Sequence, residues 1–258
     1  MADGTGILEF FVSVTFRLIA WIFFLQLDRL VPVIRHIDED EMWYYRYPSV
    51  DSIIPKRYLY VFITVVPSIV FILQFIVNRR EKSTIPDIIT NLNGLTLAYC
   101  INGVITSVLK LSIGRPRPNF FLRCFPDGYG TNIDQCTGEY RGMMDGRKSF
   151  PSAHASFAFT SMVYLTLHLW RIIDWKTPRF LRGLYVFLFF MPLLVATLIA
   201  VSRTVDYHHH YSDVIGGALL GSTIAYIIHY LYAVIDTETQ DKYLNMVERY
   251  SYISLNLS

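Results

Sequence analysis

Three short stretches of this 258-residue chain carry side chains that together could do chemistry at phosphorus. Lys110 to Pro118 reads KLSIGRPRP, Pro151 to His154 reads PSAH, and Ser202 to Asp213 reads SRTVDYHHHYSD. A phosphate ester resists attack because its oxygens are anionic, so cations must offset that charge and hold the phosphorus for in-line displacement. Lys110, Arg117 and Arg203 supply them. An arginine fork matches paired phosphate oxygens, and lysine adds a compact charge. Pro116 and Pro118 restrict the backbone on either side of Arg117 and so direct its guanidinium.

Ser152 precedes the first turn of a predicted helix, where a hydroxyl can cap the helix or reach a phosphate and unpaired backbone N–H groups favour an anion. Capping alone explains an isolated serine; beside the other blocks, phosphate contact is the stronger reading. His154 is then placed to protonate the departing oxygen, although an isolated histidine at a helix start is ordinarily interfacial. His209 is the candidate nucleophile: a neutral imidazole can attack phosphorus if a carboxylate orients the ring and stabilises its charge. Asp213, four residues on, falls on the same face of a helix. His208 and His210 point elsewhere if this segment is helical, and a shift of one residue stays open. Three adjacent histidines also suggest a metal, but neighbours on a helix converge poorly and no carboxylate cluster accompanies them. The expectation is a site without metal or other cofactor. Arg115, Arg123, Arg147 and Lys148 could widen a positive funnel or meet a second phosphate; singly, each reads as a solvated loop charge.

The order K-x6-R-P, P-S-A-H, S-R-x5-H-x3-D resembles the tripartite signature of the type 2 phosphatidic acid phosphatase superfamily, the lipid phosphate phosphatases. GRPRPNFFLRCFPDG, GRKSFPSAHASFAF and SRTVDYHHHYSDVIGG are similar to its diacylglycerol pyrophosphate phosphatase branch and to animal phospholipid phosphatases. The resemblance implies an integral-membrane enzyme whose active site faces the lumen or the exterior, at the endoplasmic reticulum, another endomembrane or the plasma membrane. It assigns His209, His154 and Asp213 to catalysis and Lys110, Arg117, Ser152, Ala153 and Arg203 to the substrate phosphate. Ala153 replaces the usual glycine of the middle block; its Cβ crowds a close backbone approach to phosphate unless the local φ is negative, which bears on rate more than on reaction.

The setting is a membrane. Hydrophobic residues make up 53% of the chain and charged residues 17%, and the mean hydropathy is +0.35, all more apolar than a soluble domain. A net charge of +2 without a long like-charge block argues against a nucleic-acid partner. Six segments approach the about 20 residues a hydrocarbon core requires: residues 7–27, 58–77, 87–109, 155–170, 181–201 and 214–235, followed by a polar tail over 236–258. The expected fold is an all-α, polytopic six-helix bundle in one membrane domain, with the site at one membrane face. The fourth segment is short unless it begins at PSAH. The first lacks a basic lead and a small-residue cleavage site, so it reads as a retained anchor. Arg17 lies inside it with Glu9 as a distant partner, a costly placement read as structural. Pro67 predicts a kink in the second segment, and Asn91, Asn93 and Asn102 predict a third segment whose amides face other helices.

Positive-inside reasoning puts the connectors Asn78 to Thr84 and Arg171 to Arg182, and with them both termini, in the cytoplasm. The connector Asp28 to Arg57 carries Trp43, Tyr44, Tyr45 and Tyr47, which suit interfacial anchoring better than gating. Cys100 reads as packing. Cys124 and Cys136 permit a disulfide in an oxidising compartment or two free thiols. A phosphate site at a membrane face implies an amphiphilic lipid phosphate as substrate and the bilayer as partner. Phosphatidate, lysophosphatidate and diacylglycerol pyrophosphate all fit. The alternatives are an isoprenoid diphosphate phosphatase and a catalytically silent lipid-phosphate-binding homologue; a transporter would not need His154, His209 and Asp213. A homo-oligomer is left open.

Overall fold

The computed structural model describes residues 4–78, 85–130, 133–173 and 178–235. The expectations for the 79–84 and 174–177 parts of the two basic connectors, for the 236–258 tail and for the Glu9 side chain lie outside the described residues. The elements run α1 (Gly4–Arg29), α2 (Lys56–Asn78), α3 (Ile85–Ile113), α4 (Phe120–Cys124), α5 (Tyr140–Gly146), α6 (Ala153–Ile172), α7 (Arg179–Val205) and α8 (Tyr211–His229), which continues as a π-helical turn, Tyr230–Ile235. Short 3-10 turns at Glu39–Tyr45 and Ile133–Gln135 punctuate the connectors, and no strand occurs among the described residues. The architecture is all-α, as expected.

Five helices, α1, α2, α3, α7 and α8, are long and apolar enough to cross a membrane. The sixth long helix is the exception, for a physical reason. α6 sits at the centre, packed most extensively on α8, then on α7, α3 and α2, so it can carry polar side chains that a lipid-facing helix cannot. Ser156 Oγ donates to Asn102 Oδ1 of α3 at 2.5 Å, and Ser161 Oγ donates to the Ile63 carbonyl of α2 at 2.8 Å. Such hydrogen bonds join helices where apolar burial cannot. Phe157, Met162 and Leu165 complete the contact against Leu59, Ile63 and Ile224, all nearly sealed from the surface. The outer faces of α1, α2 and α7 expose Phe11, Ile22, Ile72, Phe187 and Leu198, an apolar surface suited to lipid.

Two intramembrane irregularities find partners. α2 runs on through Pro67, whose missing N–H leaves the Ile63 carbonyl without its helical donor. Tyr99 Oη, at 2.6 Å, and Ser161 Oγ take that place. Arg17 donates through Nη2 to the Asn93 carbonyl at 2.9 Å and through Nη1 to Ser13. The asparagines of α3 behave as predicted in two cases: Asn91 and Asn102 are buried.

Outside the bundle, a second small core forms where the α1–α2 connector meets the α3–α6 connector: Ile37, Met42 and Tyr45 against Phe120, Phe121 and Phe125. Cys124 and Cys136 are disulfide-bonded within it. The connectors are tied to the bundle and to each other by backbone bonds, Val33 N–H to the Leu111 carbonyl at 2.8 Å and Tyr47 N–H to Pro118 at 3.1 Å. Gly114, at φ +59°, turns the chain out of α3 hard against Val33, a conformation and a fit that only glycine meets without strain.

Candidate active site

The end of α3, the start of α6, the end of α7 and the start of α8 meet at one end of the bundle, and backbone hydrogen bonds stitch the three sequence blocks together there. Arg117 N–H donates to the Gly146 carbonyl at 2.8 Å, Ser149 N–H to Arg115 at 3.0 Å, and Ser152 N–H to Asp213 at 2.9 Å. The α6–α8 contact is close because Gly217 and Gly221 face α6 one turn apart. A Cβ at Gly217 would fall 2.5 Å from the Ser152 carbonyl oxygen, so small residues let the helices approach.

Lys110, Arg117, Ala153, His154, Arg203 and His209 line a single cavity of about 1000 Å³. Lys110 Nζ donates to the Lys148 carbonyl at 2.7 Å. Arg117 donates through Nε to the Asp145 carbonyl at 3.1 Å and pairs with the Asp145 carboxylate at 3.3 Å. Arg203 pairs with Asp206 at 2.6 Å and also donates to Ser52. His154 Nε2 lies 2.9 Å from the Ile54 carbonyl, which leaves Nδ1 as its other nitrogen. Ala153 is the first residue of α6 and has no positive φ, so its Cβ adds no backbone strain. Ser152 is fully buried and accepts the Ala155 amide at 3.5 Å; it starts the helix and does not line the cavity.

The three histidines separate by environment, and not through a helix. α7 ends at Val205, Tyr207 adopts φ 53° and α8 begins only at Tyr211. The expected helical start at His209 is therefore a turn, with Tyr207 in a left-handed conformation costly for a side chain of its size. His208 Nδ1 bonds to the Asp206 carbonyl at 2.9 Å and its ring also borders the cavity. His210 Nε2 bonds to the Pro116 carbonyl at 3.2 Å and its ring stacks on Tyr44 at 4.5 Å. His209, nearly sealed from solvent, has Nδ1 3.8 Å from Asp213 Oδ2, inside ion-pair range but longer than a hydrogen bond. Burial pushes the His209 imidazole well below its ordinary range; Asp213 opposes this, and Arg117 and Lys110 add to it.

Several partners escape a reading of the sequence. Arg115 donates to Asp213 Oδ1 at 2.6 Å, and Ser149 Oγ donates to Asp213 Oδ2 at 2.6 Å, so Arg115 holds the carboxylate rather than floating in the loop. Lys148 and Arg147 are likewise buried. Lys148 Nζ donates to the Asp28 carbonyl at 2.7 Å, and Arg147 donates to Arg35 at 2.8 Å while covering Phe120. The aromatic cluster divides: Trp43 is 69% exposed, but Tyr45 is buried and Tyr47 stacks on Tyr207 at 5.1 Å. Only the spacing Arg203-x2-Asp206 was a usable signal, since the other contacts join residues far apart in the chain. Among the described residues no group of three or more His, Cys, Asp and Glu side chains is placed to hold a metal ion.

Beyond the cations, the cavity continues between α1, α2 and α3, walled by Leu18, Trp21, Leu25, Leu59 and Tyr60, and reaches Arg17. A polar end and an apolar extension in one space fit an amphiphile.

Residues 91–235 match the PAP2 superfamily. Lipid phosphate phosphatase 2 of Arabidopsis thaliana is 37% identical over 207 residues, covering 77% of this chain and 69% of the relative. Lipid phosphate phosphatase 1 of the same plant is 35% identical over 206 residues, covering 77% and 61%. Diacylglycerol pyrophosphate phosphatase 1 of Saccharomyces cerevisiae is 36% identical over 179 residues, covering 66% and 61%. The matched region thus amounts to between 61% and 69% of these relatives' own length. No solved structure matches the chain. The family match takes in all three blocks and more than half of the residues, and this multi-pass membrane protein belongs to the PAP2 superfamily.

Proposed function

We propose that the chain is a lipid phosphatase that hydrolyses phosphatidate, lysophosphatidate or diacylglycerol pyrophosphate through a phosphohistidine on His209, without a metal ion. The observation that carries this reading is the single cavity in which Lys110, Arg117, Arg203, His154 and His209 stand at one end of an apolar chamber. The names of the relatives support the substrate class.

The headgroup phosphate sits among Lys110, Arg117 and Arg203, whose charges offset its own and grow in value as the transition state spreads charge over the oxygens. Ala153 contributes at the N-terminus of α6, where free amides favour an anion, and Ser152, its amide bonded to the Asp213 carbonyl and its hydroxyl capping the helix, fixes that turn from outside the cavity. His209 Nδ1 faces Asp213, so Nε2 attacks phosphorus. The bond to the lipid oxygen breaks, and His154, whose Nε2–H is held by the Ile54 carbonyl, gives that oxygen a proton from Nδ1. Burial and Arg203 lower the pKa of this imidazole to about 3 in the empty protein, so Nδ1 takes up that proton as the anionic headgroup enters and stabilises the imidazolium. Water then attacks the phosphohistidine while His154 recovers a proton from it, the P–N bond breaks, and inorganic phosphate leaves. Asp213 stabilises the charged ring in between, with Arg115 and Ser149 fixing its carboxylate.

The disulfide Cys124–Cys136 in the connector over the site favours an oxidising side, the lumen or the exterior. The test is phosphate release from each of the three lipids and from an isoprenyl diphosphate in mixed micelles with excess EDTA, with an alkaline detergent quench to preserve an acid-labile, base-stable phosphoprotein. Release that resists EDTA and a phosphoprotein absent from His209→Ala are expected. Complete, reversible loss in EDTA sinks the metal-independent part, and preference for the isoprenyl diphosphate reassigns the substrate.

A further inference from the structure

Two acidic residues, Asp28 and Asp145, line the cavity, and Asp145 is the one ion-paired to its arginines. Asp145, in the last turn of α5, lines the same cavity as Lys56, Lys110, Arg117, Arg123, Lys148 and Arg203. Its carboxylate lies 3.3 Å from Arg117 Nη2 and 3.1 Å from Arg123 Nη1, and 46% of the side chain remains accessible. Burial alone would raise this carboxyl, but Arg117 and Arg123 outweigh it and hold the group well below the usual carboxylate range. It is therefore a full negative charge in a compartment proposed to receive phosphate.

The carboxylate is not needed to aim Arg117. The Asp145 backbone carbonyl already accepts from Arg117 Nε, and the Gly146 carbonyl accepts from the Arg117 amide. Arg123 is likewise held by Asn119 Oδ1 at 3.1 Å and the Gly142 carbonyl at 3.3 Å. What the carboxylate does is occupy a guanidinium nitrogen that a phosphate oxygen would otherwise take, since both anions suit the same fork.

Building on the reading of this cavity as a phosphate site, we propose that Asp145 is its resident anion. The carboxylate covers Arg117 in the empty protein, yields it to the headgroup phosphate while staying on Arg123, and returns as inorganic phosphate departs. Tight binding of substrate, product and transition state alike adds nothing to turnover. A like charge beside the phosphate weakens the ground-state complexes and speeds product release.

The test compares the wild type with Asp145→Asn and Asp145→Ser in lipid nanodiscs, using inorganic phosphate as the probe. Phosphate affinity is read from thermal-shift titration, which needs no turnover, and kcat and KM are read separately on phosphatidate. Neutralisation should tighten phosphate roughly tenfold, the scale of removing a nearby like charge at intermediate dielectric. KM should fall with kcat, and Asp145→Glu should restore wild-type values. Unchanged or weaker phosphate affinity in both neutral variants overturns the proposal. So does loss of folded protein in both, because a resident anion is dispensable to the fold. A wild type that binds phosphate but turns over no lipid defeats the phosphatase reading instead, and leaves the affinity comparison to decide the role of Asp145.

Discussion

The two ends of the cavity are built on opposite principles. At the polar end the side chains around His209 are held by named partners: His154 by the Ile54 carbonyl, Arg203 by Asp206, Lys110 by the Lys148 carbonyl, Asp213 by Arg115 and Ser149. At the apolar end Leu18 and Leu25 of α1 are more than 40% exposed and fixed only by their helix. Held groups can distinguish a transition state from a ground state, because their positions are set before charge develops. Loosely held apolar walls can only favour burial of a tail, at roughly 25 cal/mol for each Å² removed from water. Chemistry should therefore be intolerant at one end and graded at the other.

The largest effect should come from His209→Ala. Removing the attacking atom should lower turnover by at least about a thousandfold with thermal stability retained, measured on phosphatidate in detergent. Turnover within tenfold of the wild type would move the nucleophile to His208, whose ring also borders the cavity. Next comes Arg115→Ala, which leaves the lining of the proposed phosphate cavity intact but frees Asp213. Misplacing a group that orients the nucleophile should cost about a hundredfold in kcat with KM little changed. A rise in KM alone would instead return Arg115 to the phosphate-binding funnel.

A smaller and graded effect is expected from pH. Burial holds the His209 imidazole well below its ordinary 6.5, so the ring stays neutral and nucleophilic under mild acid, and the acid limb of kcat/KM should lie below that pH. The same shift has a stability consequence. Below pH 6.5 the unfolded chain binds a proton at this position that the folded chain refuses, so stability declines as pH falls through that value. A pH series of thermal melts on the wild type and His209→Gln should show a shallower decline in the variant.

This contrast also explains what could be read from the sequence. The candidate catalytic and cationic residues were legible because each lies at fixed spacing beside the end of an apolar segment, and helix ends converge. Their partners were not: Asp145, Ser149 and Arg115 look like ordinary loop residues until chain reversal brings them to Arg117 and Asp213. The helical reading of His209 failed because Tyr207 adopts a positive φ, a conformation its residue type gives no reason to expect. The fourth segment read as short unless it began at PSAH, and α6 does begin there, at Ala153; what the sequence did not show is that α6 is surrounded by protein. The membrane bundle followed from composition; the small core over the site, where Tyr45 packs with Phe120 and Phe121, depends on pairing two connectors far apart in the chain.

The smallest effect, and the one that tests the apolar end alone, should come from Leu25→Trp. Leu25 is 44% exposed on α1 and lines the chamber beyond the cations, so a larger ring there narrows the space for acyl chains without touching a hydrogen bond. Apolar pockets discriminate weakly, by about 10- to 200-fold per methylene at best, and a partly open wall should do less. The expected result is a shift of less than about tenfold in the kcat/KM ratio of lysophosphatidate to phosphatidate, towards the single-chain lipid, with turnover of a short-chain phosphatidate unchanged. Equal loss on every substrate would mean that α1 supports the polar end as well, and the division between a fixed headgroup site and a permissive tail chamber would have to be redrawn.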